Sequence, residues 1–217
     1  MKKISTLFVV DYSVNPDGEI TDKVRPENQW VYDELDVVAT RKWDGTACAI
    51  IGGELYKRYD VKPTKKAFKD RAKKMKYLIP YNWVLDDFNT IPEHAIPCQD
   101  ADMITGHWPH WVKCDRNNPQ DKYFWEGYDT TSKGLWLKLE DATYELIGEK
   151  VGTNPENIKG HLLIQHGVAK IDLLMSFSFE DIKTYLSNLN NNIEGIVFYG
   201  SDDKKCKIRK KDFGIKR

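Results

Sequence analysis

Gly52-Gly53 stands between two runs, Thr46–Ile51 and Glu54–Val61, whose apolar, β-branched and aromatic residues read as strands. A two-residue glycine connection closes a tight hairpin, so the two runs are predicted to pair with each other. Along the returning strand Tyr56, Arg58 and Asp60 share one face, and Lys57 and Tyr59 the other. Just upstream, Asp36–Thr40 is mostly apolar and β-branched after its first residue and feeds into Lys42. That lysine therefore sits at or just beyond a strand end, and Asp44-Gly45 marks the turn that follows.

A chain of 217 residues, 41% of them hydrophobic and seven of them tryptophan, can bury a core of its own, and one domain spanning 1–217 is expected. Lys plus Arg and Asp plus Glu both number 33, so global charge selects neither a nucleic-acid binder nor a binder of acidic substrates; local clustering has to decide. Lys65–Lys76 holds seven basic residues against the single acid Asp70. It reads as a helix or a loose arm, and as a solvated face or a contact surface. Cys48, Cys98, Cys114 and Cys206 form no CxxC pair and suit the free thiols of a reducing compartment. An intracellular, cytoplasmic protein is expected, with a nucleus or a virus-infected host cell as alternatives. Asp11 interrupts the short apolar run Leu7–Val10, and no stretch approaches the length of a membrane span, so no membrane partner is expected.

Four prolines and three tryptophans make Ile91–Tyr128 read as an irregular but packed connection. Leu135–Leu139 and Thr143–Ile147 read as paired strands around Glu140-Asp141, Asn154-Pro155 as a short helix start, and Leu162–Ile164 as a strand. Ser178 with Asp181 resembles an N-cap and acidic first turn, and Phe179, Ile182, Leu186 and Leu189 recur at helical spacing. After a turn at Asn190–Asn192, Ile196–Phe198 and Cys206–Arg209 read as the last two strands.

Lysine has an ordinary pKa near ~10.4, so its amine is a nucleophile at neutral pH only where nearby cations or desolvation favour the uncharged form. Lys207 and Arg209, two apart on a strand and so on one face, supply such cations and suit a phosphate-rich ligand; a solvated basic tail is the competing reading. Glu145 and Glu194 sit in apolar settings where an unpaired carboxylate is costly. Each needs a cation, either a divalent metal bound with phosphates or an ordinary ion pair. Thr40, two residues before Lys42, is a lesser candidate for adenine recognition or simply a buried strand threonine. The run His107-Trp108-Pro109-His110-Trp111 suits base stacking or packing, and the His and Cys residues around it fit no familiar zinc spacing.

A lone Lys-x-Asp-Gly arises by chance in roughly one in twenty chains of this length at average residue usage, so the order of the motifs carries the argument. Lys42-Trp43-Asp44-Gly45, Arg58, Tyr144-Glu145-Leu146-Ile147-Gly148, Glu194-Gly195-Ile196-Val197 and Lys207-Ile208-Arg209 follow one another as in the covalent nucleotidyltransferases, the ligases and capping enzymes. With Arg58-Tyr59-Asp60-Val61-Lys62-Pro63, Pro97-Cys98-Gln99, Thr105-Gly106-His107-Trp108-Pro109 and Lys207 to Gly214, the chain resembles an ATP-dependent 5′-to-3′ RNA ligase family with vertebrate and viral members. The resemblance runs from about Trp30 to Gly214. It implies an α+β nucleotidyltransferase fold, with antiparallel sheets around an ATP cleft and flanking helices; unlike many relatives of the wider superfamily, no separate C-terminal domain is recognised after Gly214. It also implies a monomer that uses ATP with Mg2+ or Mn2+ to join RNA 5′-phosphate and 3′-hydroxyl ends.

By the same resemblance Lys42 is the nucleophile that takes AMP, Arg58 contacts phosphate or ribose, and Glu145 the ribose or a metal-bound water. Glu194 contacts the metal, and Lys207 and Arg209 the α-phosphate. Arg209 departs from the lysine common in the wider superfamily, and a planar fork does not replace a point charge in every geometry. The adenine-stacking aromatic stays open between Gly160 and Phe179, with His166 and Phe177 among the options. With no further domain to grip RNA, Lys65–Lys76 and the C-terminal basic strand become phosphate tracks. A capping-type guanylyltransferase and a nucleotide-bound RNA sensor without turnover are the rival readings.

Overall fold

The computed structural model describes residues 2–13, 18–76, 82–135, 138–171 and 176–217. The strands are, in chain order, β1 (Ser5–Thr6), β2 (Phe8–Asp11), β3 (Glu19–Val24), β4 (Val38–Lys42), β5 (Thr46–Ile51) and β6 (Glu54–Val61). They continue as β7 (Ile96–Pro97), β8 (Trp108–Lys113), β9 (Ala142–Gly148), β10 (His161–Gln165), β11 (Gly195–Tyr199) and β12 (Lys205–Arg209). The α-helices are α1 (Trp30–Asp33), α2 (Lys65–Lys76), α3 (Lys122–Leu135) and α4 (Phe179–Ser187). This is a mixed α+β protein. Among the described residues no helix is long and apolar enough to cross a membrane.

The chain divides into two compact units, one formed chiefly by Thr46–Leu146 with His161–Leu163, the other by Lys3–Gly45, Ile147–Gly160 and Ile164–Arg217. In the first, a sheet runs β10-β9-β5-β6-β8-β7. The β5–β6 hairpin closes as the two glycines foretell: Gly52 and Gly53 take φ of 59° and 74°, the left-handed pair that a two-residue turn needs. Asp141 accepts from both their N–H groups, at 2.6 and 2.9 Å.

Ile91–Tyr128 is more regular than the sequence suggests, because it contains β7, β8 and the start of α3. Pro109 lies inside β8, opposite Asp60, and gives up only its N–H while its carbonyl accepts from Cys98 N at 2.9 Å. The tryptophan-histidine run is packing: Trp111 and His110 are buried, and Trp108 sits edge-on to Phe88 at 5.5 Å. Of the strand expected at Leu135–Leu139, Leu135 ends α3, Lys138 and Leu139 have no strand pairing, and 136–137 lie outside the described residues. Thr143–Ile147 pairs instead with β5, as part of β9.

The second unit is built on a four-stranded sheet ordered β1-β12-β11-β4, with β2 and β3 forming a separate antiparallel pair. β11 is antiparallel to both β4 and β12, but β1 joins β12 in parallel, so the sheet is not purely antiparallel. Its strands alternate as period two requires. Ala39, Ile196, Phe198, Cys206 and Ile208 go into a core shared with Trp30, Val31, Ile182 and Leu186. α4 begins where its cap predicts, Ser178 Oγ accepting from Asp181 N at 3.2 Å, a bond worth about 1 kcal/mol. Leu189, expected on its apolar stripe, lies past the helix end and is exposed.

No helix starts at Asn154-Pro155. Asn154 is left-handed, φ 48°, and its side chain clasps Ile158, accepting from its N at 3.1 Å and donating to its O at 3.0 Å. A residue in that conformation turns the chain rather than capping a helix.

Candidate active site

Strand register assembles the site in the second unit. Gly195 pairs with Lys42 on one side and Arg209 on the other, and Val197 pairs with Thr40 and Lys207 in the same way. Residues in such cross-strand rows, two apart along each strand, project from one face. Thr40, Lys42, Lys207 and Arg209 therefore share the face opposite the apolar core. Gly195 lies between Lys42 and Arg209 because β12 passes too close for a side chain: a Cβ there would stand 2.2 Å from Ile208 O.

Lys42 Nζ pairs with Glu194 Oε2 and also donates to Trp43 O at 3.3 Å. Glu194 is fixed at the mouth of β11, where its carbonyl accepts from Lys210 N at 2.9 Å. Burial lowers the Lys207 amine to about 8, with the positive charges of Arg209 and Lys42 adding to the shift and Glu194 and Asp212 opposing it. Three basic groups thus converge on one patch of sheet, held by two carboxylates. Beside them opens a surface cleft of about 590 Å³ with Asp44, Glu194, Lys210, Lys211, Lys216 and Arg217 in its walls.

Two of the expected ligands have their polar groups engaged within the fold. Thr40, 1% exposed, donates its hydroxyl to Val197 O at 3.2 Å. Arg209 makes a forked pair with Asp212, Nε at 3.1 Å and Nη2 at 2.6 Å, while Asp212 also accepts from Arg209 N at 2.8 Å. Its guanidinium reaches a ligand only through what that fork leaves. Phe177 packs edge-on against Phe198 at 5.2 Å on the core side of the sheet, away from Lys42.

Arg58 and Glu145 belong to the first unit. Arg58 lies on β6 opposite Trp111, and Glu145 is a buried β9 residue opposite Ala47. Among the described residues no three His, Cys, Asp or Glu side chains cluster as a metal cage. A hard divalent cation does not need one. Magnesium keeps several waters and takes one or two carboxylates with substrate phosphates, so Glu194 beside a lysine- and arginine-lined cleft fits it.

The residue that sequence reading missed is Glu156. The Asn154 turn presents its carboxylate, 2% exposed, to two arginines: it pairs with Arg41 Nη2 and accepts from Arg217 Nη2 at 2.8 Å. Arg217 in turn donates to Asp44 at 3.3 Å and Arg41 stacks over Trp43 at 4.1 Å, so Glu156 grips the chain on both sides of Lys42. The only linear cue is a carboxylate in an Asn-Pro-Glu turn, which says nothing of its partners.

Residues 134–217 match the model of the RNA ligase 1 family. The C-terminal part of the chain is assigned to the RNA ligase family. The match supports RNA ligase function in general and RNA as the substrate. It takes in Glu145, Glu194, Lys207 and Arg209 and leaves Thr40, Lys42 and Arg58 outside. No curated protein matches the chain. The ladder that joins β4 to β11 is what ties Lys42 to the RNA ligase segment, through Gly195 and Glu194.

Proposed function

We propose that this chain is an ATP-dependent RNA ligase joining a 5′-phosphate to a 3′-hydroxyl through a lysyl-AMP intermediate. The observation that carries the reading is the shared sheet face: a lysine paired with a carboxylate, facing a half-buried lysine and an arginine across two strand ladders.

In the first step Lys42 Nζ attacks the α-phosphorus of ATP. An N–P bond forms, the bond from the α-phosphorus to the bridging oxygen breaks, and pyrophosphate leaves with that electron pair. The amine must shed a proton before it attacks, and the neighbouring positive charges of Lys207 and Arg209 favour its loss to solvent. Lys207, assisted by the part of Arg209 not committed to Asp212, balances negative charge on the transferring group, the main task in phosphoryl-type chemistry. Mg2+ or Mn2+, held by Glu194 together with the phosphates, would add positive charge at the leaving pyrophosphate. Arg58 and Glu145 enter the proposal through the motif resemblance alone, as nucleotide contacts, with Glu145 also a metal contact. AMP then passes to the RNA 5′-phosphate, freeing Lys42, and attack by the 3′-hydroxyl forms the phosphodiester and expels AMP.

The test is incubation with α-labelled ATP or GTP and magnesium, followed by RNA carrying a 5′-phosphate and RNA carrying a 3′-hydroxyl. Labelling by ATP, movement of the label to RNA, and a joined product that needs both end groups are expected. Labelling by GTP alone would replace the reading with a capping-type guanylyltransferase; tight nucleotide binding with no covalent label would replace it with a sensor.

A further inference from the structure

α2 raises a question that the site does not answer. Its rotation is fixed from one side: Ala67 is buried, Phe68 meets Trp83 edge-on at 4.9 Å, and Arg71 lies over the same indole at 4.7 Å. Thr64 holds the start, its Oγ1 accepting from Ala67 N at 3.2 Å. At about 3.6 residues per turn, Lys65, Lys66, Lys69, Lys73 and Lys76 then fall within an arc of about 100°, along a stripe roughly 16 Å long. All five are exposed, and among the described residues none has an ion-pair or hydrogen-bond partner. Of the seven basic residues, Arg71 is spent on Trp83 and Lys74 lies outside the arc.

The stripe works against the helix that carries it. The pairs Lys65/Lys69 and Lys69/Lys73 set like charges one turn apart, each destabilising by roughly 0.2–0.5 kcal/mol. Lys65 and Lys66 occupy the first turn, which has no acidic residue, although the macrodipole favours anions there. The chain as a whole carries 33 basic and 33 acidic residues, so the concentration is not a by-product of a basic protein. A polyanion lying along this face relieves the repulsion and satisfies the first turn together.

We infer that the lysine stripe of α2 is a docking surface for the phosphodiester backbone of the RNA substrate. The identity of that polyanion rests on the RNA ligase reading; the stripe itself does not. Contacts of this kind are made to phosphates and not to bases, so the surface holds RNA without regard to sequence.

The experiment compares the full chain with a variant carrying Lys65→Gln, Lys69→Gln, Lys73→Gln and Lys76→Gln, changes that keep helix propensity and that circular dichroism can check. Binding to single-stranded RNA is titrated over a range of salt concentrations. Each lost phosphate contact lowers the slope of log K against log salt by about 0.7, so the quadruple variant should lose a slope of about 3 while Lys74→Gln changes it little. Lysyl-AMP formation should be equal in all three proteins. An unchanged slope and affinity in the folded quadruple variant would overturn the inference, as would a loss confined to acidic phospholipid vesicles. If no protein forms lysyl-AMP, the ligase reading fails separately, and the RNA slope still decides the stripe.

Discussion

At the scale of single residues, Lys207 is the most informative group. Its amine titrates near 8 because burial disfavours the cation, so free protein at pH 8.5–9 holds it largely neutral. A phosphate group binds the cation. Nucleotide binding should therefore take up protons from about pH 8 to the ordinary lysine range, and none through this group near pH 6.5, where it is already charged. Calorimetry of ATP binding in two buffers of different ionisation enthalpy measures this; Lys207→Met should abolish the uptake, and equal uptake in both proteins would contradict the role. The same linkage fixes a sign for stability. The unfolded lysine keeps its proton to higher pH than the folded one, so this group alone contributes a gain of about 3 kcal/mol as pH rises from about 8 to 10.5, opposed above about pH 9 by the Cys48, Cys114 and Cys206 thiols, which burial pushes up. The strand positions of Lys42, Lys207 and Arg209 and that of Glu194 just before β11 were legible in the sequence, because strand periodicity and motif order do not depend on distant packing. The commitment of Arg209 to Asp212 was not legible, since it depends on the turn that brings Asp212 back three residues later.

Elements show where linear reading works and where it stops. β5 and β6 have the bounds read from sequence, because a glycine turn defines them, and Lys65–Lys76, read as a helix or a loose arm, is the helix α2. β8 and α3 were hidden. One carries a proline, and the other places Tyr123, Phe124, Trp125 and Tyr128 among two glycines and two threonines, so neither shows a clean period. The turn around Asn154 matters most for function, because it sets Glu156 between Arg41 and Arg217. Glu156→Gln keeps the shape but leaves two arginines facing an uncharged amide. Breaking a buried ion pair of this kind costs about 3 kcal/mol, which chemical denaturation measures. At equal folded fraction and saturating ATP, the rate of lysyl-AMP formation should also fall about tenfold, or ~1.4 kcal/mol of activation free energy, since both flanks of Lys42 lose their anchor. An unchanged rate would reduce the network to a stability device.

For the whole molecule, the central claim is that the segment assigned to the RNA ligase family and the Lys-x-Asp-Gly turn upstream of it form one chemical unit. The family match begins at residue 134, and only the strand ladder brings Lys42 to Glu194, Lys207 and Arg209. The division of the chain into two compact units was not legible, because each is assembled from segments far apart in sequence. The most direct measurement is to incubate the chain with ATP and magnesium, digest it, and locate the covalent nucleotide by tandem mass spectrometry under conditions that preserve phosphoramidates. AMP on the Lys42 peptide, absent from a folded Lys42→Ala protein, is the predicted result; AMP on another residue, or undiminished labelling of that variant, would contradict the account.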